Sequence, residues 1–167
     1  MSNINLISLP ISITTRLERQ HESLFDLIDG LTDEQLRRQI IPEKWSVFEN
    51  VVHLATYQHE FMQRVHKIMA EENPKFSRYV AESDPLFYDN CTKTTEEILH
   101  DLVITRKELV TEIVALNSVD LGRTGEHPVF GRMNMVRWLH FFLLHEAHHL
   151  FTVFKLAPGT RQVPTDN

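Results

Sequence analysis

The sequence predicts an all-α protein, a four-helix bundle. Three observations carry that reading. Apolar residues recur at spacings of three and four through four long segments, the period of a helix buried on one face. Three stretches, Thr32-Asp33-Glu34-Gln35, Ser46-Val47-Phe48-Glu49 and Thr94-Thr95-Glu96-Glu97, have the pattern of a capping box. Glycine is scarce, at 5 in 167 residues, and no strand-like alternation of polar and apolar residues is visible.

The first helix is expected over residues 13–30, with Leu17, Leu24, Phe25, Ile28 and Leu31 on its stripe and Gly30 as its stop. A short helical turn follows at the Thr32 box. The second long helix starts at Ser46 and runs to about residue 69, with Val47, Val51, Leu54, Phe61, Val65 and Ile68 facing the core. Residues 71–93 contain Pro74, Pro85 and clustered Asn and Asp, and are expected to be irregular, with one short helical turn. So long a connection in a compact domain suits a lid or a pocket wall. The third helix opens at the Thr94 box and buries Ile98, Leu102, Leu109, Ile113 and Leu116. A glycine-bearing loop over 117–131 leads to the fourth helix, 132–156, whose apolar surface covers most of its circumference. Neighbouring helices or a second subunit must cover such a surface. The chain after Pro158 reads as a frayed tail. Taken together, the pattern suggests four antiparallel helices in one domain spanning residues 1–167.

Composition narrows the function. Hydrophobic residues make up 42% and charged residues 24%, ordinary for a globular domain with a full core. The net charge is −6 and the basic residues are scattered, which argues against nucleic acid as a partner. A single cysteine, Cys91, excludes an intrachain disulfide framework and a cysteine-based metal site, and it reads as an inert thiol. No run approaches a membrane span, and Met1 to Pro10 lacks the pattern of a signal peptide, so a cytoplasmic location is expected.

Ten histidines are many for this length. His145 and His149, in His145-Glu146-Ala147-His148-His149, lie one turn apart on the face that also carries Trp138, Phe142 and Leu156. Two inward imidazoles at this spacing are how one helix supplies two ligands to one metal, although a pair of core histidines has the same spacing. His148 falls in line with Arg137 and Lys155 and is expected in solvent. A third ligand must come from elsewhere. His59 and His66 lie with Gln63 on the polar side of the second helix. His53 sits at the edge of the apolar stripe, near the start of that helix. If the second and fourth helices are antiparallel, His53 meets the histidines near the end of the fourth.

Glu146 lies on an apolar face between Leu139 and Val153, so it needs a partner, and a structural salt bridge or an interface rim is the expected role. Although His145-Glu146-Ala147-His148-His149 matches HExxH, Glu146 is not read as the general base of a protease. Tyr57 and Glu60, one and two turns from His53, are read as a packing tyrosine and a surface glutamate. Trp45 and Trp138 are read as core anchors, and His127 as a loop residue able to line a pocket.

The stretch Trp45-Ser46-Val47-Phe48-Glu49-Asn50-Val51-Val52-His53-Leu54 resembles the second-helix motif of the DinB/YfiT-like superfamily. His127-Pro128-Val129-Phe130-Gly131, followed by the helix ending His145-Glu146-Ala147-His148-His149-Leu150, resembles its fourth-helix region. The resemblance covers nearly the whole chain in order and spacing. It implies a bundle with long crossover connections, commonly dimeric, and a divalent metal (zinc, nickel, manganese or iron) held by His53, His145 and His149. It also implies chemistry on a small molecule: transfer of, or isomerisation dependent on, a low-molecular-weight thiol, or hydrolysis. The alternative it leaves is a non-catalytic stress-related binding protein with a vestigial metal site. Thr152 stands where the family often has glutamine, which puts a shared supporting role at that position in doubt.

Overall fold

The computed structural model describes residues 7–161. The expectations for the extreme N-terminus and for the last six residues lie outside them. The helices are α1 (Ile11–Arg19), α2 (Ser23–Ile28), α3 (Asp33–Arg37), α4 (Val47–Ala70), α5 (Pro85–Cys91), α6 (Thr95–Val114), α7 (Ser118–Gly122) and α8 (Met135–Thr160). Among the described residues, no helix is long and apolar enough to cross a membrane.

Four rods form the bundle: α1 with α2, then α4, α6 and α8. The first rod touches α6 and α8, and α4 touches the same two. All three capping boxes form, with Thr32, Ser46 and Thr94 each accepting from the third residue of the helix it opens. The expected stripe residues of α4 and α6 are buried, apart from Leu116, which is half-buried.

The expectation that all four helices are antiparallel is corrected. Along α4 and α8 the contacts run in opposite directions, from His53 against His145 to Arg64 against Trp138. Along α4 and α6 they run together, with His59 paired to Asp101 and His66 to Glu112. The first rod likewise runs with α8, since Gln20 meets Glu146 and Asp29 meets Arg161. Two parallel neighbours joined in sequence need a connection that returns the length of the bundle. Residues 71–94 supply it for α4 and α6, in agreement with the crossovers that the family resemblance implies.

This strap is more ordered than expected. It contains a 3-10 turn at Ala81–Ser83 and α5, whose N-terminus is capped by Asp84 with Pro85 in the first turn. Tyr79 faces His53, Phe87 stacks on Trp45, and Asn90 donates to the Thr56 hydroxyl.

Other boundaries also differ. The first rod is interrupted by a 3-10 turn at Gln20–Glu22, where the Gln20 amide donates to the Leu143 carbonyl and to Glu146. The loop over 117–131 contains α7 and most of an antiparallel hairpin, β1 (Thr124–His127) and β2 (Gly131–Asn134). The expectation of no strand is therefore corrected. The Gly125 carbonyl accepts from Trp138 Nε1, and the Glu126 backbone bonds the strap at Pro74 and Phe76. Finally, α8 continues past Pro158 to Thr160, rather than fraying there.

Candidate metal centre

His53, His145 and His149 converge. One ring nitrogen from each lies within 4.8 Å of the other two. The antiparallel α4 and α8 bring the second turn of α4 level with the middle of α8, where His145 and His149 lie because that helix runs on to Thr160. Nε2 of His53 and Nε2 of His145 are 3.0 Å apart, and the ring of His149 lies 4.3 Å from that of His53.

Asn50, one turn before His53, fixes the third ring. Its amide nitrogen donates to the Ser46 carbonyl, so its Oδ1 must face His149 Nδ1, 2.9 Å away. An amide oxygen only accepts, so the proton of His149 sits on Nδ1 and the Nε2 lone pair is free. The capping box at Ser46 holds the turn from which Asn50 projects.

All three imidazoles are held neutral. Burial, then His149 and His145, lowers His53 to about 2. Burial, then His149, His148 and Arg64, lowers His145 to about 3. Burial, then His148, lowers His149 to about 4. Among the described residues, the buried side-chain polar atoms without a hydrogen bond are Nδ1 of His53 and Nδ1 of His145. Two neutral rings meeting through Nε2 share one proton, so the other ring must carry its proton on a buried Nδ1 with no acceptor. The pair does not satisfy itself, a condition that marks functional sites. Neutral nitrogen donors at this spacing fit a divalent ion of the zinc, nickel or iron type.

The cluster opens into a cavity of about 590 Å³. Tyr57, Phe141 and Trp45 wall it from the bundle side, Tyr79 to Glu82 from the strap, and His127, Val129 and Phe130 from the hairpin. The strap is thus a wall of this cavity, one of the two roles expected of it. Trp45 is only half-buried, with its ring 5.0 Å from His53 and 6.0 Å from His149. It packs against the core, as expected of an anchor, but also faces the cavity, whereas Trp138 is fully buried. His127 lines the cavity as expected. Arg64, Arg78 and Tyr79 also line it; Arg64 was placed on the helix face of His53 but given no role, and Arg78 and Tyr79 escaped the sequence reading. Arg64 had one available signal, its position eleven residues after His53 on the same stripe of α4.

Glu146 is 2% exposed and turns away from the histidines. It pairs with Arg106, which also donates to Gln58 and to the Leu17 carbonyl. This buried network ties α8 to α6, α4 and α1, so the carboxylate that matches HExxH is structural. His148 is exposed, as expected. The Thr152 hydroxyl donates to the His148 carbonyl within its own helix and makes no bond to the histidine cluster. Glu60 pairs with Arg64. Half-buried Cys91 has its thiol pushed up by burial, which suits an inert role.

A four-helix bundle with crossover connections, whose second and fourth long helices bring three histidines together at one cavity, defines a small metalloprotein-like class. Residues 16–153 match the DinB superfamily, and the chain belongs to it. It is 28% identical over 151 residues to the uncharacterized protein YuaE of Bacillus subtilis, covering 81% of this chain and 88% of that one. Among solved structures it is similar to YfiT from Bacillus subtilis, described as a probable metal-dependent hydrolase with an unusual four-helix bundle topology. That match has a TM-score of 0.79 at 20% identity, over 95% of this chain and 92% of YfiT. It is also similar to TT2238, a four-helix bundle protein, with a TM-score of 0.60 at 22% identity, over 86% of this chain and 95% of that one.

Proposed function

We propose that the chain is a divalent-metal-dependent enzyme acting on a small molecule, with His53, His145 and His149 as its metal ligands. The observation that carries this is the convergence of three neutral ring nitrogens within 4.8 Å at the wall of a cavity. Three protein ligands and an open side are the composition of a catalytic rather than a structural site. The description of YfiT as a probable metal-dependent hydrolase supports the same class.

A bound divalent ion would supply Lewis acidity and lower the pKa of a coordinated thiol or water. The chain's own groups do the rest. Asn50 keeps the His149 lone pair directed into the cluster. Trp45, Tyr57, Tyr79 and Phe141 restrict water around it. We favour transfer of a low-molecular-weight thiol, with hydrolysis as the other chemistry open to the same ligand set. No cysteine lines the cavity, so a thiol nucleophile would arrive as a small molecule. We further propose a homodimer. Leu144, Phe151 and Phe154 are 62%, 58% and 57% exposed along the outer side of α8, more apolar surface than one helix of a monomer usually shows.

Metal content by mass spectrometry on the untagged chain tests the assignment. The expected result is about one ion per chain in the wild type and none in His149→Ala. Absence of metal from the wild type after reloading with zinc, nickel or manganese would make the histidines structural.

A further inference from the structure

Beyond the three histidines, the cavity wall carries Tyr57, Arg64 and His127, which are 3%, 4% and 8% exposed. Among the described residues, none of them has its hydrogen-bonding capacity used up.

The Tyr57 hydroxyl bonds no protein group, although its ring packs 4.2 Å from that of His145. A phenol is protonated at neutral pH, so this hydroxyl can donate. Arg64 gives Nε to Glu60 and Nη2 to the Ser77 carbonyl, which leaves the two N–H bonds of Nη1 unclaimed. Nδ1 of His127 accepts from the backbone N–H groups of Val129 and Phe130. That nitrogen is therefore unprotonated and Nε2 carries the proton, a donor with no protein acceptor. Arg64 and His127 both pack on Trp138, at 5.8 Å and 5.5 Å, and the charge of Arg64 is felt at His127. The charge of Arg64 is also felt at His145.

Every spare proton at this end of the cavity thus belongs to a donor. These donor atoms open onto the cavity rather than being sealed from it, since the fully buried side-chain polar atoms without a partner among the described residues are the two histidine Nδ1 atoms, so they are available to a ligand in the cavity. A second guanidinium, Arg78, stands exposed in the lining, and the one carboxylate there, Glu82, is exposed on the strap. The cavity therefore offers donors beside a cluster of neutral imidazoles, with the Arg64 charge partly met by Glu60 and that of Arg78 at the rim.

We propose that Tyr57, Arg64 and His127 form an oxyanion subsite, and that the substrate presents a carboxylate to it while its reacting group faces the histidine cluster. Arg64 lies eleven residues after His53 on α4, about 16 Å along the axis at the rise of a helix. The arginine side chain leans back toward the helix N-terminus and shortens that span. The carboxylate and the reacting group are thus separated by several bonds. The proposal deepens the metalloenzyme reading and rests on it for treating this cavity as the substrate site.

The test uses the full-length chain treated with chelator, so that a carboxylate cannot report on metal. Benzoate and its neutral isostere benzamide are titrated by calorimetry. Benzoate is expected to bind at least about tenfold more tightly than benzamide. Y57F, which removes one hydroxyl and keeps the packing, and R64K, which keeps the charge and loses the fork, should each weaken benzoate about tenfold and leave benzamide unchanged. H149A should leave benzoate binding intact. Equal affinity for the two probes, no binding of benzoate, or benzoate binding indifferent to both Y57F and R64K would overturn the subsite. Zinc titration separates the two readings. Benzoate binding without zinc binding keeps the subsite and removes the metal, and the reverse keeps the metal and removes the subsite.

Discussion

At the scale of single residues, Asn50 links the motif to its chemistry. It is 2% exposed, and both ends of its amide are engaged, one by the Ser46 carbonyl and one by His149. Removing the amide frees the His149 ring to rotate and to place its proton on Nε2, where it blocks coordination. N50A is therefore expected to lower zinc affinity about 10- to 100-fold with the fold intact. Competition against a chromophoric chelator measures this, and an unchanged affinity would show that Asn50 does not set the tautomer. The histidines themselves were legible in the sequence because a helix makes periodicity visible: i, i+4 on one helix, and a third histidine near the start of an antiparallel partner. The role of Arg64 and the tautomer of His127 were not legible. The His127 tautomer depends on the backbone of the hairpin turn, which brings the Val129 and Phe130 N–H groups onto Nδ1, and the setting of Arg64 depends on Ser77 of the strap and Trp138 of α8, which are brought to it by the fold.

Among the elements, those with their own stop and start signals were read correctly. Capping boxes placed the starts of α4 and α6 to the residue. What failed was short or tertiary in origin. Each strand of the hairpin has four residues, and Thr124-Gly125-Glu126-His127 has neither alternation nor β-branched enrichment. Its place is set by packing. A Cβ at Gly125 would stand 2.8 Å from Phe76 and 2.9 Å from Ile68, closer than side-chain atoms normally approach. Glycine is thus required where the hairpin presses on α4 and the strap. G125A is expected to destabilise the protein by about 1–3 kcal/mol, as overpacking does, read as a lower urea midpoint at unchanged slope. A midpoint shift within a few tenths of a kcal/mol would mean that the hairpin is not seated there. The direction of α6 was also invisible locally, because a capping box marks where a helix starts and not which way it points. Only the length of the 71–94 connection hinted at a parallel neighbour.

At the scale of the whole molecule, the bundle holds a cluster of uncharged imidazoles in its interior, and this couples stability to pH. His53, His145 and His149 lie at about 2, 3 and 4 in the folded chain, against about 6.5 for an unperturbed histidine. A depressed folded pKa means that the unfolded chain binds more protons, so stability rises with pH across the interval between the two values. The contribution is complete above about pH 6.5 and is lost progressively as the pH falls toward the folded values. His21 and His127, both lowered chiefly by burial, act in the same direction. For His53 alone, which is 4% exposed, the loss by about pH 5 is on the order of 2 kcal/mol, at 1.36 kcal/mol per unit. Most carboxylates titrate below that pH, so the interval from about 7 to 5 reports mainly on histidines. The chelator-treated protein should therefore show a Tm that falls steadily from about pH 7 to 5, and H53L should flatten that slope. A bound metal adds stability by mass action, but protons compete for the same three nitrogens, so the metal-dependent increment in Tm should shrink over the same interval. A metal-free Tm independent of pH there would mean that the rings accept protons without penalty. The cluster would then be wetter and looser than its burial implies, and its claim to hold a metal would weaken with it.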